Sequence, residues 1–475
     1  MAISIKNICC IGAGYVGGPS MTVMADRCPE ITFNVVDKNI KRIESWNTSD
    51  LNNLPIYEPG LSLLINKCRN KNLYFSNEIE KNISSADMIF ISVNTPTKKT
   101  GLGAGQAIDL KWIESCARQI AMHAKGHTIV VEKSTLPVKT AQAIKSILDG
   151  HTKKGSKNLD SDNKTFSILS NPEFLAEGTA IEDLLSPDRI LIGGDDNNSI
   201  ELLKNIYLKW VDGGKILTTD IWSSELSKLI ANAFLAQRIS SINSISALCE
   251  STEANIIDVA KAVGMDSRIG KNFLNSGPGF GGSCFKKDIL NLVYICNYYG
   301  LNEVADYWEK VITINNWQQN RIVSIVVNKL YGTISGKKIA ILGFAFKANT
   351  NDTRESPAIN ICRQLLEEGC TLNIYDPKVK KEQIDSDLQD ENYSYLNKSD
   401  KEKKWKVSSS IIDAVKETDA LIILTDWSEF NNLDFQKINK FMRPPCWIFD
   451  TRNIININKA KKYGFNIWKI GNGNL

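Results

Sequence analysis

A cysteine set among glycines, a glycine-spaced turn followed by a carboxylate, and a Lys–Asn pair four residues apart could do chemistry here. In SGPGFGGSCFKKD (276–288), four glycines and a proline surround Cys284, and Lys286, Lys287 and Asp288 follow. A glycine-rich loop lets backbone N–H groups converge on an anion, and nearby cations raise a thiol's thiolate fraction. A cysteine so placed can capture an aldehyde as a thiohemiacetal, from which a second hydride leaves to give a thioester. Taken alone, a buried structural cysteine beside a flexible turn is the commoner case. The turn GAGYVG carries Gly12, Gly14 and Gly17 directly after the apolar run KNICCI. Its glycines suit a tight turn, a close backbone approach to a pyrophosphate and close helix–strand packing, with the helix N-terminus facing the phosphates. The run TFNVVD ends in Asp37, placed to accept both ribose hydroxyls of a dinucleotide. Asp37 favours NAD over NADP because it would repel a 2′-phosphate; Arg42 nearby softens that inference. Lys228 and Asn232 share a helix face and suit a developing oxyanion, or else belong to a solvated stripe.

These residues need elements to hold them. Through the first ~220 residues, short apolar runs (KNICCIG, TFNVVD, DMIFISVN, TIVVEKS, FSILSNP and DRILIGG) alternate with amphipathic stretches such as LKWIESCARQIAMHA. That alternation predicts a parallel α/β sheet. From Trp222 a long, nearly unbroken helical stretch runs to Gly264, and more helix follows to about Leu330. Strand patterns return at Gly336 in KKIAILGFAF, CTLNIYDP, ALIILTDW and CWIFDTRN. There GFAFKA breaks the glycine fingerprint with two phenylalanines, so a second dinucleotide site is not expected. The layout is α/β, with two Rossmann-like doubly wound domains joined by a central helical domain, divided at 1–221, 222–333 and 334–475. Two polar stretches, 151–165 and 378–406, read as a surface insertion and a loop.

Bulk properties exclude other classes. The 475 residues carry 43% hydrophobic and 23% charged side chains and a net charge of +4, enough for several cores and without a basic stripe for nucleic acid. No apolar run approaches the ~20 residues of a membrane span, and no signal peptide is evident. Eleven cysteines without a CxxC read as reduced thiols in a cytoplasmic protein. The three histidines, His123, His127 and His151, hold out little for a metal site. Gly126 separates the first two where a helix end leads into a strand, so any general base is expected to be Lys, Asp or Glu.

GAGYVG, EKSTLPV, SNPEFLAEGTAI, SELSKLIANAFLAQRISSINS, GFGGSCFKKD and GFAFKANTNDTRES, in this order and at these spacings, resemble the UDP-glucose/GDP-mannose dehydrogenases, in their eukaryotic type. The resemblance covers nearly the whole chain. It implies oxidation of the 6-hydroxymethyl group of UDP-glucose to a carboxylate with two NAD+. It further implies that Cys284 is the nucleophile and Glu173 the base that activates water for thioester hydrolysis. Without it, Glu173 after Pro172 reads as a helix N-terminal Glu. By resemblance, Lys228 and Asn232 stabilise the oxyanion, Asp288 orients a water or assists proton removal with Lys228, and Thr135 holds that water. Cofactor contacts would be Gly12, Gly14, Gly17, Asp37, Arg42, Thr95, Thr135, Glu177 and Arg354. Substrate contacts would be Phe174, Arg268, Phe280, Gly281, Phe346, Lys347 and Arg452, the cations suiting a diphosphate. Members are homo-oligomers (dimer or hexamer) in which Arg268 can reach a neighbour's site. Lys286 departs from the family, which often has Pro or Gln there, and puts an extra charge beside the nucleophile. Rival readings are another sugar nucleotide in the same chemistry, a non-catalytic NAD or sugar-nucleotide sensor, and a single-step alcohol dehydrogenase that would not need Cys284.

Overall fold

Eight short runs of β-branched and aromatic residues form the first sheet: β1 Asn7–Ile11, β2 Thr32–Val36, β3 Leu73–Ser76, β4 Met88–Ile91, β5 His127–Glu132, β6 Thr165–Ser170, β7 Ile190–Gly194 and β8 Ile216–Thr219. The computed structural model describes residues 4–155, 164–389 and 404–473. It divides into two compact units, Met1–Ala231 and Asn232–Leu475. The strand order is β3-β2-β1-β4-β5-β6-β7-β8, so the direction of winding reverses between β1 and β4, where doubly wound sheets open a ligand crevice. Strand residues such as Ile8, Phe33, Met88, Ile89 and Val130 are buried, in two apolar clusters, as expected for a sheet covered on both faces.

The expected parallel sheet needs one correction. β7 pairs with β6 antiparallel, through Leu169↔Gly194 and Ser170↔Gly193. A parallel return requires a crossover that carries the chain back along the whole strand. The only helix between them, Ala180–Leu185, has six residues and rises ~9 Å, less than half the ~20 Å of the six-residue β6. The chain therefore re-enters the sheet from the edge at which it left. Helix Asn197–Tyr207, with 11 residues, restores the parallel sense for β8.

The second unit holds β9 Lys338–Leu342, β10 Thr371–Tyr375, β11 Trp405–Val407, β12 Ala420–Ile423, β13 Trp447–Asp450 and β14 Asn466–Lys469, all parallel. Their order, β11-β10-β9-β12-β13-β14, repeats the pattern of the first sheet's first six strands. The central helical block is real but interrupted. Helix Ile221–Ser251 has 31 residues and stops before helix Ile256–Gly264. The Thr252 hydroxyl donates back to the Leu248 carbonyl, Glu253 takes a left-handed φ of 59°, and the Asn255 side chain caps the new helix at Ile257 N–H. Helices Phe285–Tyr298 and Asn302–Lys329 follow.

The polar stretches also divide differently than expected. Residues 151–155 complete helix Thr140–Gly155, and β6 starts at Thr165; 156–163 lie outside the described residues. In 378–406, Lys381–Leu388 is helical rather than loop, its apolar Ile384 and Leu388 buried, while 390–403 lie outside the described residues. Among the described residues no helix is long and apolar enough to cross a membrane, and no group of three or more His, Cys, Asp or Glu could hold a metal ion.

Candidate active site

In the first unit, residues expected to hold cofactor or act on substrate fall just beyond the C-terminal ends of neighbouring strands. The glycines follow β1, Thr95 follows β4, Thr135 follows β5, and Glu173, Phe174 and Glu177 follow β6. At Gly12, φ is +114° and a Cβ would collide with the Ser92 carbonyl. At Gly17 a Cβ would run into the Gly12 carbonyl, so helix Gly17–Arg27 could not sit so close to β1 with any other residue. At Gly14 nothing lies within 4 Å. That glycine leaves open space in front of the helix N-terminus, which is what a pyrophosphate requires. Asp37 Oδ2 accepts from Ala13 N–H at 3.1 Å and from the Arg42 guanidinium at 3.1 Å; Oδ1 accepts from Asn39 N–H at 2.9 Å. Arg42 therefore accompanies Asp37 instead of competing with it. The residues present fit a dinucleotide with a free 2′-hydroxyl.

Glu173 sits among partners that no spacing pattern announced. Its Oε2 lies 2.9 Å from Lys133 Nζ and accepts from the Ser20 hydroxyl at 3.3 Å, while Oε1 accepts from Phe174 N–H at 2.9 Å. Burial would push this carboxyl up, but the Lys133 ammonium, helped by Phe174 N–H and Lys228, overrides it and holds the group below the usual carboxylate range. The Phe174 ring has the Arg189 guanidinium 3.9 Å from its centre and Lys228 Nζ 5.2 Å away. Buried Glu58 fixes the following loop by accepting Gly178 N–H at 2.7 Å and Ala180 N–H at 3.1 Å. Lys228 and Asn232 are one turn apart in helix Ile221–Ser251.

In the second unit, the loop before Cys284 is held by amides of the central helices. Asn243 accepts Gly277 N–H (2.8 Å), Gln318 donates to the Gly277 carbonyl (3.1 Å), and Asn315 bonds both backbone groups of Phe280 (2.8 and 3.2 Å). The polar run NNWQQN inside an otherwise amphipathic helix was the available signal for two of these clamps. Gly281 leaves no room for a Cβ beside the Glu355 carbonyl and Phe346, and Gly282 N–H donates to the Arg354 carbonyl at 2.9 Å. Cys284 is exposed and occupies the N-cap of helix Phe285–Tyr298, its Sγ 3.5 Å from Ser283 Oγ. It thus stands at the positive end of a helix dipole. One turn on, Asp288 is fully buried, accepts Asn232 Nδ2 at 2.6 Å and pairs with Lys287 at 2.8 Å. The extra charge of Lys286 is taken up by Glu355 at 2.8 Å.

The remaining expected substrate and cofactor contacts are partly gathered. Arg452 reaches the Leu424 carbonyl (2.7 Å) and the Phe346 carbonyl (3.2 Å), and a Cβ at Gly277 would come 3.3 Å from its guanidinium. Lys347 Nζ is 5.5 Å from the Phe346 ring centre, and Phe280 stacks edge-on with Phe285. Arg354 is clamped by Asp352 through two nitrogens, at 2.9 and 2.6 Å. Arg268 is not gathered: its side chain is 87% exposed and paired with Asp266.

A doubly wound sheet with a fitted dinucleotide turn defines the class of NAD-dependent dehydrogenases. Residues 6–211, 222–317 and 340–457 match the NAD binding, central and UDP binding domains of the UDP-glucose/GDP-mannose dehydrogenase family, and the chain belongs to that family. It is 54% identical to UDP-glucose 6-dehydrogenase 4 of Arabidopsis thaliana and to UDP-glucose 6-dehydrogenase 1 of Glycine max, over 98% of this chain and 97% of each relative. Among solved structures, a UDP-glucose dehydrogenase from Pyrobaculum islandicum superposes with a TM-score of 0.81 at 27% identity, covering 99% of this chain and 98% of that one.

Proposed function

We propose that this chain oxidises the 6-hydroxymethyl group of UDP-glucose to a carboxylate, giving UDP-glucuronate and reducing two NAD+ per sugar nucleotide. The observation that carries this reading is Cys284, exposed at a helix N-terminus on a clamped glycine loop, one turn from the buried Asp288–Asn232 pair. Identity above half to plant UDP-glucose 6-dehydrogenases across nearly the whole chain favours UDP-glucose over other sugar nucleotides.

Bound at the glycine turn, NAD+ supplies hydride acceptance in each oxidation. Loss of the hydroxyl proton and one hydride converts the alcohol to an aldehyde. Cys284 Sγ then bonds to the aldehyde carbon, and the resulting thiohemiacetal loses a second hydride and a proton to become a thioester. Water deprotonated by Glu173 adds to the thioester carbon; the C–S bond breaks, freeing carboxylate and thiol. One water is consumed and two hydrides leave. Lys228 and Asn232 stabilise the oxyanions, and Asp288 with Lys228 assists the first deprotonation. Thr135 holds the water. Gly12, Gly14, Gly17, Asp37, Arg42, Thr95, Glu177 and Arg354 bind the cofactor. Phe174, Phe280, Gly281, Phe346, Lys347 and Arg452 bind the sugar nucleotide, with Arg268 serving a neighbouring copy in a cytoplasmic dimer or hexamer. The division of labour follows 1–221, 222–333 and 334–475.

The test is NADH formed per UDP-glucose consumed, with NAD+ in excess. A ratio near two supports the double oxidation. A ratio near one would leave a simple alcohol dehydrogenase and remove the role of Cys284. No NADH from UDP-glucose, but NADH from GDP-mannose or a UDP-N-acetylhexosamine, would replace the substrate and keep the chemistry.

A further inference from the structure

Lys133 has no place in the roles above, yet its ammonium is among the most deeply buried charges in the first unit. The side chain is 1% exposed and stands just past the end of β5. Its Nζ donates to Asn171 Oδ1 at 2.9 Å and to the Tyr207 hydroxyl at 3.0 Å, and lies 2.9 Å from Glu173 Oε2. The two neutral partners are themselves fixed. Tyr207 OH donates to Asn171 Oδ1 at 2.6 Å, and Asn171 Nδ2 donates to the Leu191 carbonyl at 2.8 Å. Such a closed network leaves the ammonium one orientation, and through it the carboxylate.

The consequence for Glu173 follows from its setting. Its side chain is only 12% exposed, and a carboxylate withdrawn from water without a counter-charge takes up a proton. Once protonated it cannot remove one from water. The charged or titratable groups that face it are Lys133 from just past β5, Tyr207 from helix Asn197–Tyr207 and Lys228 from helix Ile221–Ser251, with Arg189 against the adjoining Phe174 ring. Of these, Lys133 makes the ion pair at 2.9 Å. We propose that Lys133 is a positioning residue for the Glu173 base, holding its carboxylate in one orientation and supplying the counter-charge in direct contact with it. The proposal rests on Glu173 being the base of thioester hydrolysis.

The experiment follows the pH dependence of turnover, and of the protein-bound adduct by intact mass, in the unmodified enzyme, Lys133→Met and Lys133→Gln. The Gln variant keeps a hydrogen-bond donor in case Met does not fold. In the unmodified enzyme the acid limb of adduct hydrolysis should lie below the ordinary carboxylate range. In either variant it should move to higher pH, with a loss of about tenfold or more at the acidic end. The adduct should accumulate there and turnover should recover toward alkaline pH. A loss equal at every pH, or an unmoved limb, would overturn the proposal in favour of a purely structural ion pair. So would an unmodified enzyme whose limb sits at or above the ordinary carboxylate value, even if neither variant folds. Glu173→Gln, run alongside, separates the two ideas. If it turns over with no adduct, the base assignment itself fails, whatever Lys133 does.

Discussion

Glu132 precedes Lys133 in the chain, and because successive strand residues point to opposite faces its carboxyl meets a different neighbour, Glu225. Burial, then the charge of Glu225, pushes Glu132 well above the usual range. Glu225, itself raised by burial, is partly restrained by the Ala141 and Lys139 N–H groups, which it accepts at 2.9 and 2.7 Å. Two facing carboxyls can hydrogen-bond only while one keeps a proton. A carboxyl raised in the folded state contributes stability that is fully present below its unfolded value, about 4.3, and lost as pH rises toward the folded value. Glu132→Gln mimics the protonated form at every pH. It should leave Tm nearly unchanged at pH 4 and raise it by a few degrees at pH 8, measured by calorimetry. No rise at pH 8 would mean the pair is not proton-sharing. Neither Glu132 nor Lys133 was legible as a functional residue in EKSTLPV, since only the three-dimensional partners distinguish them from ordinary strand-end charges. Cys284 and Asp37 stand out in the sequence as candidates because glycine spacing marks them in one dimension.

The glycine turn and its helix separate what folding needs from what binding needs. Gly17→Ala would force helix Gly17–Arg27 away from the Gly12 carbonyl and should destabilise the protein by about 1–3 kcal/mol or more. Gly14→Ala meets nothing within 4 Å, so stability should change by no more than about 0.5 kcal/mol. NAD+ affinity should nonetheless fall, roughly tenfold or more, because the methyl occupies the space of the pyrophosphate. Denaturant melts and a binding titration on both variants check the contrast, and equal damage to folding would refute it. Elements of this kind, with apolar strands and a punctuating glycine, could be read directly. The short edge strands β3, β8, β11 and β14 could not: each mixes polar with apolar residues, unlike the equally short but continuously apolar β4 and β12. The turn of β7 to an antiparallel sense depends on how far a six-residue helix can carry the chain, which composition does not express.

Across the whole molecule, thiol chemistry is confined to one place. All eleven cysteines are free and ten are buried, leaving Cys284 exposed. Burial also drives several of the others up, Cys10, Cys116 and Cys370 to about 12. A native-state titration with a thiol reagent at neutral pH should therefore find one fast thiol per chain, absent in Cys284→Ser, and eleven in denaturant. Several fast thiols in the native protein would contradict the burial pattern. The two sheets share a strand order but not an occupant. In the second, Asp376 follows β10 as Asp37 follows β2, yet it already receives five donors: Phe344, Ala345, Lys378 and Val379 N–H and the Trp427 indole, at 2.7–3.1 Å. Gly343 keeps its left-handed φ of 90°, so the turn survives while its carboxylate has been recruited as masonry. Restoring glycines to GFAFKA would accordingly reopen nothing, because the keystone would still be mortared in. Any effort to engineer a second cofactor pocket there must first find another support for the arch.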